Sequence, residues 1–147
     1  MTKLTEHFSL QEMCKTNLKG VSNAPDAKVT ANLYRVCGWL EELRSEWNKT
    51  YGDGDDPIII NSAFRNPVVN KAVGGSLTSN HLTGCAADIR VLGMEQLIRY
   101  AAILLDISDK AKKDFDEILM ERKGNSLWLH FAVRPENNRR KIKFLEI

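Results

Sequence analysis

At 147 residues, with 43% apolar and 27% charged side chains, the chain has the make-up of one ordinary globular domain spanning residues 1–147, and disordered, fibrous and collagen-like classes are excluded. Lys and Arg number 21 against 19 Asp and Glu, and the resulting net charge of +2 gives no case for a nucleic-acid partner. No apolar run approaches the roughly 20 residues of a membrane-spanning helix, so bilayer insertion is excluded as well. The opening MTKLTEHFSLQEM alternates polar and apolar residues and lacks the apolar stretch of a secretory signal, so the expected location is cytoplasmic as synthesised. Cys14, Cys37 and Cys85 form no CxxC pair and are expected to be reduced thiols.

The first element in chain order is a long amphipathic helix. Val29, Leu33, Val36, Cys37, Leu40, Leu43 and Trp47 recur at steps of three and four, with charged residues between them. Pro25 and Asp26 suit its start, and YGDGDDP ends it. Ile58, Ile59 and Ile60 read as a short buried strand ending near Ser62, and Asn66 to Val73 as one or two helical turns broken by Gly74 and Gly75. GGSLTSNHLTG reads as a loop. In the strand Ala86 to Val91, alternation puts Ala87, Ile89 and Val91 on the core side and Asp88 on the other, beside the loop that carries His81. Met94, Leu97, Ile98, Ala101, Leu104 and Leu105 mark a second amphipathic helix closing near Ser108. Phe115 to Glu121 and Leu127 to Val133 read as a β-hairpin around Gly124 and Asn125, and RRKIKFLEI as a short edge strand whose basic residues Arg139, Arg140, Lys141 and Lys143 form a solvated edge. The fold class is α+β: a single domain with a small antiparallel sheet packed against helices.

Among residues able to do chemistry, His81 on the glycine-serine loop and His130 in the last hairpin strand stand out. Gly84 lets the chain turn tightly enough for His81 and Asp88 to converge. Two imidazole nitrogens and a carboxylate oxygen would make a three-ligand zinc site with its fourth position open, the pattern of a catalytic rather than a structural site. A satisfied strand histidine and a turn aspartate fit the same spacing, and the pattern alone does not choose between them.

SNHLTGCAADI is similar to the SxHxxGxAxD motif of the D-alanyl-D-alanine carboxypeptidase-like zinc peptidases, which share the Hedgehog/DD-peptidase fold and mostly cut peptidoglycan peptides. INSAFRNPVVNKAVGGS, FDEILMERKGNSLWLHF and HFSLQEM resemble further segments of the phage and bacterial branch, in the same order. The resemblance implies that His81, Asp88 and His130 bind Zn2+ and that Arg65 binds a substrate carboxylate or stabilises the oxyanion. In many relatives an acid lies three residues before the last histidine; here that residue is Leu127, which cannot move a proton.

Hairpin geometry offers a substitute base. A turn centred on Gly124 and Asn125 pairs Lys123 with Ser126, Glu121 with Trp128 and Leu119 with His130, which puts Glu121 diagonal to His130 on one face. Glu121 is the expected general base, with Asp116 and Glu117 as fallbacks. A structural salt bridge is the competing role for Arg65. Ser79 either hydrogen-bonds substrate or braces its loop, and Trp128 either walls a cleft or packs in the core. Cys85 is expected as core filler and His7 as a surface residue.

The expected function is metal-assisted hydrolysis of stem or cross-link peptides of bacterial peptidoglycan, in a phage or prophage lysis setting. A non-catalytic wall-binding or virion module of the same fold is the alternative, favoured by Leu127.

Overall fold

A computed structural model describes residues 2–147. A single turn of helix, α1 (Leu10–Met13), precedes the long helix α2 (Ala27–Thr50), which Asp26 starts by accepting a hydrogen bond from the Val29 N–H at 2.8 Å. Its buried stripe of Val29, Leu33, Val36, Cys37, Leu40, Leu43 and Trp47 follows the apolar spacing of the sequence. Strand β1 covers Ile60–Ser62, starting two residues later than expected; in the run that leads into it Ile58 and Ile60 are buried while Ile59 is 40% exposed. Then come α3 (Pro67–Ala72), a 3-10 helix at Asn80–Thr83, and β2 (Ala86–Arg90). Helix α4 (Met94–Ala111) runs past Ser108 to Lys112, whose left-handed backbone at φ 54° stops it. The hairpin of β3 (Glu117–Lys123) and β4 (Ser126–Ala132) is followed by β5 (Lys141–Glu146).

The sheet order is β1-β2-β4-β3-β5. The expected antiparallel sheet is corrected to a mixed one, since β5 runs parallel to β3 while the other pairs are antiparallel. The reason is spatial. Strand β4 ends beside the start of β3, and β2 already occupies its other edge, so the nearest free edge for the returning chain is that of β3. To do so, residues 133–140 need only step around the start of β3, where the Phe115 carbonyl accepts from Arg140 N–H and the Asp116 carbonyl from Lys141 N–H.

Alternation then sorts the side chains onto two faces. Ala87, Ile89, Leu129, Phe131 and Ile118 are buried against α2 and α4, with the Trp39 and Phe131 rings 5.3 Å apart. Asp88, His130, Glu117 and Glu121 lie on the opposite face, beneath the loop that leads from β1 to β2. Cys85 is buried, in line with its role as filler, and the three cysteines are free thiols. His7 is more than a surface residue: its Nδ1 and its backbone N–H both meet the Glu41 carboxylate at 2.6 Å and tie the N-terminal segment to α2. Among the described residues, no helix is long and apolar enough to cross a membrane.

Candidate metal centre

The open face of the sheet floors a cleft of about 560 Å³ lined by Arg65, Ser79, Asn80, His81, Asp88, Glu117, Glu121, Trp128, His130, Arg134 and Arg139 among others. That volume lies within the usual range for small-molecule sites. Local structure brings His81 into it. Ser79 caps the 3-10 helix by accepting from the His81 N–H at 3.1 Å, so of its two expected roles the loop brace is the one the structure fills, although the residue also lines the cleft. Gly84 then reverses the chain at φ 74°, where a Cβ would stand 2.9 Å from the backbone oxygen of Val29; only glycine fits there. Strand register does the rest, because Asp88 pairs directly with His130 across β2 and β4.

The three side chains meet on one carboxylate oxygen. Asp88 Oδ1 lies 3.2 Å from His81 Nε2 and 3.0 Å from His130 Nδ1. His81, Asp88 and His130 thus offer ligand atoms all within 4.8 Å of one another. The outward nitrogen of each ring is also held: His81 Nδ1 donates to the Ala63 carbonyl at 2.5 Å, and His130 Nε2 donates to Glu117 Oε1 at 2.9 Å. These bonds fix which nitrogen faces Asp88, and they form the outer partners that metal-binding histidines almost always have. Two imidazoles and one carboxylate suit zinc and leave a fourth position for water or substrate, so the residues present fit a catalytic metal.

Electrostatics supports the same reading. Burial alone would push the Asp88 carboxyl up, but the two histidines outweigh it and hold the group well below the usual carboxylate range. Burial would likewise lower His130, yet Asp88 and Glu117 on either side drive it up to about 10. An imidazole clamped between two carboxylates calls for a cation, either a proton or a metal ion.

The expected acids separate by environment. Asp116 is fully buried and saturated: Arg139 donates to it from its backbone N–H and both ends of its guanidinium fork, and Asn80 Nδ2 donates at 2.7 Å. That removes it as a base. Glu117 is committed to His130 and Asn80. Glu121 makes no ion pair among the described residues; burial raises its carboxyl above the ordinary range, and the negative charges of Asp88 and Glu117 add to the rise while His130 and the neighbouring Trp128 indole oppose it. The register that predicts its place holds, with Glu121 opposite Trp128 and Leu119 opposite His130.

Arg65 has no hydrogen bond or ion pair from its guanidinium among the described residues, and its Nε is buried without a partner. The structural salt bridge is therefore not formed. Burial lowers its basicity while Asp88 and Glu121 nearby oppose the effect, leaving a poorly solvated cation on the cleft wall. Trp128 also walls the cleft, and its indole Nε1 is a second buried donor without a partner. Leu127 points to the other side of the sheet and packs against the apolar core.

Sequence reasoning gives no role to Asn80 and Arg134, holds Glu117 only as a fallback base and places Arg139 on a solvated edge. Glu117 was within reach: it pairs with Ala132, so it flanks His130 diagonally on one side as Glu121 does on the other. Arg139 and Arg140 do lie on an exposed edge, as expected, but neither is left to solvent alone, and Arg134, given no role, is partly buried against Asn80. Arg139 grips Asp116, and Arg140 pairs with Asp109 and Asp114.

A family model described as Peptidase M15 matches residues 6–123, well over half of the chain. The match takes in His81, Asp88, Glu117 and Glu121 and stops short of His130, which the hairpin brings back beside them. No curated protein matches the chain. The chain belongs to the peptidase M15 family.

Proposed function

We propose that this member of the peptidase M15 family is a zinc-dependent hydrolase of peptide bonds in bacterial peptidoglycan, acting on stem or cross-link peptides. What carries the reading is the meeting of His81 Nε2, His130 Nδ1 and Asp88 Oδ1 in a cleft whose remaining walls hold Glu121 and an unpaired Arg65. When bound at these three donors, zinc supplies a Lewis acid that polarises the scissile carbonyl and acidifies water.

The protein's own groups do the remainder. Glu121 takes the proton of the attacking water and returns it to the leaving amine, and its raised pKa brings it closer to the working range of a base at neutral pH. Arg65 meets a substrate carboxylate or the developing oxyanion, exchanging an unpaired buried donor for a charge-assisted hydrogen bond. Trp128 offers its indole N–H to a substrate carbonyl and its ring as a wall. A phage or prophage lysis role rests on the likeness of the sequence to that branch.

The non-catalytic alternative drew its support from Leu127. Because that side chain packs on the core side of β4, an acid there would not face the cleft, and its absence does not weigh against turnover. The test is mass spectrometry of purified peptidoglycan incubated with the zinc-loaded protein and, in parallel, with chelator-treated protein. New fragments that vanish with chelator are the expected result, and their masses separate endopeptidase from carboxypeptidase cleavage. Zinc-loaded protein that yields no fragments from several wall types would overturn the reading in favour of a binding module.

A further inference from the structure

Behind the metal centre lies a polar cluster that the reaction does not consume: Asn80, Asp116, Glu117, Arg134 and Arg139. Asn80 is its hub. The residue is 5% exposed, and its single Nδ2 donates to both Asp116 Oδ2 and Glu117 Oε1 at 2.7 Å, while its Oδ1 accepts from Arg134 Nε at 2.9 Å. The same Glu117 oxygen accepts from His130 Nε2. A continuous chain of hydrogen bonds therefore runs from Arg134 through the Asn80 amide and Glu117 to the ring of His130.

The chemistry of the hub is specific. Two carboxylates side by side at the start of β3 repel each other, and a carboxylate in place of the amide would add a third negative charge. An apolar residue would leave both without a shared donor. An amide held by an arginine on its oxygen presents its N–H groups toward both acids, and Arg134 and Arg139 offset their charge. Asn80 is also the residue before His81, so it couples the loop that carries one histidine to the strand that orients the other.

We infer that Asn80 is a positioning residue of the metal centre: by holding the Glu117 carboxylate it fixes the ring orientation and the ligating nitrogen of His130. The inference rests on His81, Asp88 and His130 binding a metal, and it concerns the affinity and geometry of that site rather than the bond cut. Disruption of such outer partners costs about 10- to 100-fold in metal affinity.

The experiment is a cobalt titration of the full chain, read by visible absorption, with zinc affinity measured by competition. Asn80→Ala should stay folded by circular dichroism, bind cobalt about 10- to 100-fold more weakly and shift the visible bands of the bound ion. In a Glu117→Gln background the same substitution should add little, because its effect passes through Glu117. Arg134→Met, at a partly exposed position that touches the other side of the amide, should give the same band shift with a smaller loss, and it serves should Asn80→Ala fail to fold. Unchanged bands and affinity in folded Asn80→Ala, or in Arg134→Met if the first variant is unfolded, would overturn the inference and leave the peptidase reading intact. Full additivity with Glu117→Gln would overturn it too. A wild-type chain that takes up neither cobalt nor zinc would sink the metal centre and this inference together.

Discussion

The two faces of the sheet are made from alternate residues of the same strands, yet they meet burial in opposite ways. On the helix side, Ala87, Ile89, Leu129, Phe131 and Ile118 need only fill space, and their energy is non-directional. On the cleft side, buried groups need partners, and they fall into two sets. Asn80, Asp116, Glu117 and Arg139 satisfy one another. Among the described residues, Arg65 and Trp128 keep buried donors without partners, and Glu121 has no cation paired to it. A native protein carries few such groups. Their gathering around His81, Asp88 and His130 separates a scaffold, already complete, from a reactive set that waits for substrate.

Asp88→Ala should break the reactive face most severely. Without the shared oxygen between His81 and His130 the metal is lost, and turnover on peptidoglycan fragments should fall by at least about 10⁴-fold, roughly 5 kcal/mol or more. Thermal unfolding of the metal-free protein should still show one cooperative transition. Activity within tenfold of wild type would mean that the three residues do not form the catalytic centre.

Glu121→Gln sharpens the division within that face. The variant should bind zinc as the wild type does and lose about 10²- to 10⁴-fold in kcat, the usual contribution of a positioned base. Glu117→Gln should do the reverse, weakening metal first. If kcat survives in Glu121→Gln, Glu121 is not the base and Glu117 has to be tested in that role as well as the outer one.

Leu129→Ala tests the opposite face one residue away from His130. Leu129 is completely buried, and its truncation should cost about 3 kcal/mol of stability, measured by urea unfolding. Its folded fraction should keep one zinc per chain with wild-type affinity, since the lost contacts lie on the helix side. A large loss of zinc affinity in folded Leu129→Ala would show that the two faces are not energetically separate.

Which parts of this arrangement the sequence reveals follows from the length scale of each signal. Period-two alternation in Ala86 to Val91 and the Gly124–Asn125 turn place Asp88, Glu121, Trp128 and His130 on one face, and the register agrees residue by residue. The 3.6-residue stripes give α2 and α4 but not their ends: α4 continues to Ala111 because the residue that stops it, Lys112, is no conventional breaker. The parallel course of β5 is set by which sheet edge is free, a property of the assembled fold that no window of sequence contains. The Asn80 cluster is harder still. Its contacts join residues 36, 37 and 54 apart, between side chains that each look like an ordinary loop or surface group. The Leu127 position misleads for a related reason: counting residues back from His130 ignores which face of the strand each one takes.

The smallest effect belongs to Asp116, a scaffold residue as buried as any leucine of the core but held by charge. Burial by itself would raise its carboxyl; the Arg139 fork, the Asn80 amide and Arg134 outweigh burial and hold it down to about 2. An unfolded chain returns it to the ordinary value near 3.9. With the folded value below the unfolded one, the carboxylate contributes stability that is fully present above about pH 4 and is lost as pH falls towards 2, a contribution of about 2 kcal/mol. Asp88 is held down as well and adds its own slope in the same direction, so the comparison must be between proteins that both retain it. Urea midpoints of metal-free wild type and Asp116→Asn from pH 6 to pH 2 should therefore differ most at pH 6 and converge in acid, while two leucine-to-alanine variants of the core face would stay offset by the same amount throughout. Parallel curves for Asp116→Asn would mean that the fork on Asp116 adds nothing beyond packing, and that the cleft side of the sheet is stabilised by the same non-directional burial as the helix side.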